Sequence, residues 1–204
     1  MRPNIIKETF KGYQCTSIPD ELFRRRTLYF TAPIGPSTAE ELIGQLLWLE
    51  QAAPGKPITL VINSPGGDVF SGLAVCDVIS QISSPVDTVC AGMAASMGAL
   101  VFLCGRNRTM FPHSRLLIHD PSFSSGDLAG VKPIDLKEDL EKLMAIRTEL
   151  AQIIADRTGK SLEDILEKTK TDFIMTAQEA LEMGAATRIG ILSLNNEKED
   201  NEDE

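Results

Sequence analysis

Histidine occurs only twice in this chain of 204 residues. Any chemistry that needs an imidazole base must therefore draw on His113 or His119. Cysteine is also sparse: Cys15, Cys76, Cys90 and Cys104 form no CxxC pair, and three of them sit inside apolar runs. That gives no zinc site or disulfide framework and fits a reducing compartment. Positive charge is short as well. Twenty Lys and Arg face 29 Asp and Glu, a formal net charge of −9. A nucleic-acid backbone, which needs a basic surface, is thereby disfavoured as the partner. There is no run of about 18 apolar residues to span a membrane. The opening MRPNIIKETF lacks the apolar stretch of a secretory signal. A cytoplasmic protein without membrane contact is the expectation. Much of the acidity is local: the terminal NNEKEDNEDE has nothing apolar to bury, and residues 193–204 are expected to be a disordered tail.

What is present suits an ordinary globular domain, with 43% hydrophobic and 24% charged residues. Residues 1–26 are weakly periodic, with SIPDELFRRR as a short helix. TLYFTAPI (27–34) reads as a strand, from its aromatic and β-branched residues. GPSTAEELIGQLLWLEQAA reads as a helix with Ser37 as its N-cap, Glu40 three residues on, and Leu42, Leu46 and Leu49 at helical spacing. ITLVIN (58–63) and VDTVCAG (86–92) read as buried strands. Each is followed by a turn and an apolar helix, SPGGDVFSGLAVCDVISQI and AASMGALVFLCG. RTMFP and RLLIHD read as two more short strands. This alternation predicts a parallel sheet with crossover helices. Beyond the Ser/Gly/Pro-rich stretch 121–133, Leu136, Leu140, Leu143, Ile146, Leu150 and Ile153 predict one long helix. Its length suggests that it projects and pairs with another subunit. Two further helices are marked by caps, Ser161 with Asp164, and Thr176 with Glu179 and a terminating Gly184.

The chemistry gathers where strands end. In CAGMAASMGALVF (90–102) a single hydroxyl, Ser96, stands among small and apolar residues, as close approach of a substrate backbone would require. The Gly-Gly of NSPGGD also follows a strand. Amides of Gly67 and Met97 beside Ser96 would form an oxyanion hole. A serine nucleophile needs a base. His119, ending RLLIHD, is better placed than His113 in the turn-like FPHSR. The carboxylate that would orient the imidazole is left open among Asp68, Asp120 and Asp172.

The blocks INSPGGDVFSGLAVCD, GMAASMGA, PHSRLLIHDP and DFIMTAQEALEMG, in this order and spacing, resemble the signature blocks of the ClpP family, the proteolytic subunits of Clp proteases. The resemblance runs from about Pro3 to Leu192. It implies an α/β fold of the crotonase-like type, with repeated β-α units and a projecting handle helix. It implies a peptidase domain over residues 1–192, with a gate segment and first helix in 1–26 and the handle at 134–157. It implies a serine endopeptidase whose triad is Ser96, His119 and Asp172, with Gly67 and Met97 supplying the oxyanion amides. Gly66, Asp68, Ser122 and Phe123 fall on its substrate groove. The implied partners are further copies, as heptameric rings paired into a tetradecamer, a paralogous ClpP ring, an AAA+ unfoldase such as ClpX, ClpC or ClpA, and protein substrates. No cofactor or metal is implied; ATP would be used by the unfoldase.

This sequence departs from the family pattern in three places. Phe123 and Ser124 stand where a Gly-Gly pair usually lines the groove, in a loop a few residues longer than usual. Lys170 and Thr171 replace an Asp-Arg pair that links rings. Thr59, Val61 and Gln81 occupy positions usually aromatic in the pocket that receives unfoldase loops, which suggests a specialised paralogue working in a mixed complex. Three rival readings share the fold: a catalytically silent structural subunit, a phage-type head-maturation protease, and an acyl-CoA hydratase or isomerase. The complete Ser/His/Asp set argues against the first. The AASMGA block argues against the second. The third needs carboxylates and no serine nucleophile.

Overall fold

In the computed structural model, residues 4–10, 12–123 and 130–190 are described. The expected acidic tail and Ser124 lie outside them. The chain opens with a hairpin that its weak periodicity did not announce. β1 (Asn4–Thr9) pairs antiparallel with β2 (Gly12–Ser17). Ser17 then caps α1 (Ile18–Arg24), accepting a hydrogen bond from the Asp20 N–H, with a proline in the first turn.

Strand and helix then alternate as expected: β3 (Thr27–Phe30), α2 (Pro36–Ala52), β4 (Ile58–Ser64), α3 (Val69–Gln81), β5 (Val86–Ala95), α4 (Met97–Leu103), β6 (Arg108–Met110) and β7 (Arg115–Ile118). After the long α5 (Pro133–Thr158) come α6 (Leu162–Lys168), β8 (Phe173–Thr176), α7 (Ala177–Met183) and β9 (Arg188–Ile189). The main sheet runs β3-β4-β5-β6-β9, all parallel. β7 pairs parallel with β5, and antiparallel with β8.

Two local expectations are corrected. The N-cap of α2 is Gly35, two residues before Ser37. Pro36 has its φ already set for a first helical position, and the Thr38 hydroxyl accepts the Gly35 N–H at 2.9 Å. β5 does not stop at Gly92. Its first half, Thr88 to Cys90, pairs with β6, and its second half, Met93 to Ala95, pairs with β7. Gly92, at φ +116°, makes the bend between them. Alanines at 94 and 95 favour a helix locally, but pairing with β7 holds them extended.

The core lies between the sheet and its helices. Leu46, Leu60, Ile62, Phe102, Met110 and Leu116 are fully buried in it. Truncating a side chain such as Phe102 would cost about 3–5 kcal/mol. α5 joins this core through Leu150, Ala151, Ile154 and Ala155, and no residue from 133 to 149 is buried. Among the described residues no helix is long and apolar enough to cross a membrane.

Candidate active site

Ser96 sits between the end of β5 and the start of α4, at φ +54° and ψ −126°. A serine rarely adopts this strained turn, which costs of order 1–3 kcal/mol and needs surrounding structure to hold it. The Ser96 N–H donates to the Leu117 carbonyl at 2.9 Å, and its carbonyl accepts from Ala99 and Leu100 in α4. The backbone is thus pinned on both sides, while the half-buried side chain stands at a strand-to-helix corner. Sequence reading located the residue but not the strain, since only the small neighbours signal it.

The SPGGD turn is fixed beside it. The buried Ser64 hydroxyl donates to the Ala32 carbonyl at 2.6 Å and accepts the Gly66 N–H at 3.2 Å. Ile34 brackets the glycines. Its N–H donates to the Gly66 carbonyl at 2.8 Å, and its carbonyl accepts the Asp68 N–H at 2.9 Å. The Gly67 N–H between them donates to no protein acceptor among the described residues, nor does that of Met97, the first residue of α4. Gly66 packs against Ser96 and the Met97 amide so closely that a Cβ there would meet both within 3 Å.

Ser96 and His119 line one small pocket of about 30 Å³, walled by Val69, Met97 and Leu100 on one side and by Leu150, Ala151 and Ile154 of α5 on another. His113 lies in the exposed turn before β7 and does not reach it. Asp172 is exposed and is not among the lining residues. β7 and β8 pair Leu117 with Ile174 and Ile118 with Phe173, and His119 and Asp172 are the next residues beyond that end of the ladder. No hydrogen bond joins the side chains of Ser96, His119 and Asp172 in the single chain.

The other two carboxylates have partners of their own. Asp68 is the N-cap of α3, accepting the Ser71 N–H at 2.8 Å, and hydrogen bonds from Ser71 hold its carboxyl below the usual range. Asp120 pairs with Arg147, Nε to Oδ2 at 2.5 Å. Sequence reading missed this pair. Its signal was a charged residue, Arg147, four positions from Leu143 on the apolar stripe of α5. Ser122 is exposed and Phe123 half-buried at the end of the described segment after His119.

No cysteine lines this pocket. Burial pushes the Cys90 thiol up to about 11, and Cys15 is exposed on the terminal hairpin far along the chain from the pocket residues. At the departures from the family pattern, Lys170 pairs with Glu167 one turn back, Val61 is buried, Thr59 is half-buried and Gln81 is exposed at the end of α3.

A serine and an imidazole that line one pocket together with Met97, whose amide is unoccupied, are groups suited to acyl transfer. The family model described as Clp protease matches residues 10–191. The ATP-dependent Clp protease proteolytic subunit 1 of Prochlorococcus marinus (strain NATL2A) is 36% identical over 186 residues, covering 90% of this chain and 93% of that protein.

Proposed function

The chain belongs to the Clp protease family, and from that premise we propose that it is a serine endopeptidase using Ser96, His119 and Asp172. The observation that carries the reading is the pocket shared by Ser96, His119 and Met97, the last with an unbonded amide. In the reaction, His119 removes the Ser96 hydroxyl proton as the oxygen attacks a peptide carbonyl. Gly67 and Met97 N–H groups receive the oxyanion. His119 then returns the proton to the leaving amine. Water, deprotonated by the same imidazole, breaks the acyl ester and restores the serine. Asp172 keeps the imidazole in the required tautomer and stabilises its cation. Gly66, Asp68, Ser122 and Phe123 border the groove in which the peptide lies.

The working form in this reading is a barrel of heptameric rings fed with unfolded chains by an AAA+ unfoldase, in the cytoplasm. The hairpin β1-β2 serves as its gate and α5 as its handle. A partner-dependent subunit of a mixed complex is the second reading. It is favoured by the absence of a hydrogen bond among the three side chains within one chain.

The test is hydrolysis of a short fluorogenic peptide by the purified protein beside Ser96→Ala. Turnover is expected for the first and a loss of at least about 10³-fold for the second. Turnover unchanged by Ser96→Ala would remove the serine from the chemistry. If neither protein turns over, adding a paralogous ring decides for partner dependence or for a silent subunit.

A further inference from the structure

We infer that Arg147 is a positioning residue, holding the His119 segment against the segment that carries Asp172. The inference rests on the peptidase reading above and adds a residue that reading does not use. The ladder between β7 and β8 ends at Ile118 and Phe173, one step short of both His119 and Asp172. Strand pairing therefore fixes neither residue directly, and the contacts just past the ladder decide how their two segments sit. Immediately beyond the ladder, the Asp120 N–H donates to the Thr169 carbonyl at 2.8 Å. The Asp120 carboxylate accepts from Arg147 Nε at 2.5 Å, and Arg147 Nη2 donates to the Leu166 carbonyl at 2.7 Å.

Arg147 thus grips the residue after His119 with one nitrogen and the last turn of α6, leading to Asp172, with another. Its side chain is 15% exposed and that of Asp120 28%, so the pair is only weakly screened. The charge-assisted contact is oriented by the planar guanidinium, which a lysine ammonium imitates only as a point charge. The same two residues line the pocket of Ser96 and His119, so the clasp lies within the site. A base displaced by about 1 Å loses about 10²-fold in rate. Without the clasp, His119 keeps its ladder on one side only.

The experiment compares the assembled wild-type protein with Arg147→Gln, Arg147→Lys, Asp120→Asn and Ser96→Ala. A fluorophosphonate probe, read by intact mass, gives both the fraction of reactive serines at completion and the rate of labelling. Peptide turnover is then expressed per reactive site. The expected result is a full count of reactive sites in Arg147→Gln, labelling and kcat reduced tenfold or more, KM within about twofold, and partial recovery in Arg147→Lys. Asp120→Asn, which keeps the shape of the site, is expected to show the same split to a smaller degree. A merely structural role would lower the count of sites and leave the rate per site unchanged, and that outcome overturns the inference. So does wild-type behaviour of both Arg147→Gln and Asp120→Asn. Failure of the probe to label wild-type Ser96 overturns the peptidase reading itself and the inference with it.

Discussion

At Gly66 an added Cβ would lie 2.5 Å from the Ala95 carbonyl and 2.6 Å from the Ser96 Cβ, at a φ of +88°. At Gly67 it would lie 2.1 Å from the Ile34 carbonyl, at φ +148°. These are backbone and short side-chain neighbours that have little room to give. The Gly-Gly pair is therefore required twice, by conformation and by space. Gly66→Ala is expected to cost roughly 1–3 kcal/mol in strain. That corresponds to a fall in melting temperature of several degrees, at about 2–4 °C per kcal/mol for a chain of this size. Peptide turnover should fall about a hundredfold or more, because the amides proposed to receive the oxyanion move with the backbone. Calorimetry and a peptide assay on the same sample check both. An alanine variant with wild-type turnover would show that the turn does not serve the serine.

Between elements, one contact has a pH signature. Glu50, near the end of α2, accepts hydrogen bonds from the Ser83 hydroxyl at 2.5 Å, the Ser83 N–H at 3.0 Å and the Ser84 N–H at 2.9 Å, in the turn after α3. Those bonds, the one from Ser83 foremost, pull its carboxyl down to about 2. A carboxyl lowered by folding adds stability that is complete above its unfolded value, near 4.3, and is lost as pH falls toward the folded value. Glu50→Gln should therefore melt below wild type at pH 7, and the gap should close between about pH 5 and pH 2. A gap independent of pH would assign the effect to packing.

At this same scale the sequence was legible where a local rule agreed with its surroundings. The Ser161 and Thr176 caps and the terminating Gly184 all stand as read, because each acts within one turn of helix. The buried strands were legible from their unbroken apolar runs. Ser37 was misread because Pro36 and Gly35 together form the better start. The second half of β5 was misread because its alanines favour a helix and only the distant β7 makes them extended. The positions of Ser96 and His119 could be read because both end apolar strands. The clasp at Asp120 could not, since 27 residues separate it from Arg147 along the chain.

For the whole molecule, the informative surface is the amino-terminal half of α5. Leu136, Leu140 and Met144 are exposed at 38%, 50% and 49%, an apolar row at four-residue spacing on a helix whose other end is anchored in the core. Apolar side chains at such spacing on an outlying helix suit burial against a second subunit. Leu140→Glu combined with Met144→Glu should reduce the assembly to a smaller species by native mass spectrometry, with little change in the stability of the chain itself, since neither side chain is in its core. An assembly of unchanged mass would remove this face from the interface.

The antiparallel ladder of β7 and β8 reaches further than the chemistry. It sets the segments that lead to His119 and Asp172 side by side by pairing residues along two short strands, whatever the length of chain between them. The connection from β7 to β8 can therefore lengthen or shorten while the two strand ends stay beside each other. Insertions tolerated there mark where such a protein can acquire new preferences without being reinvented.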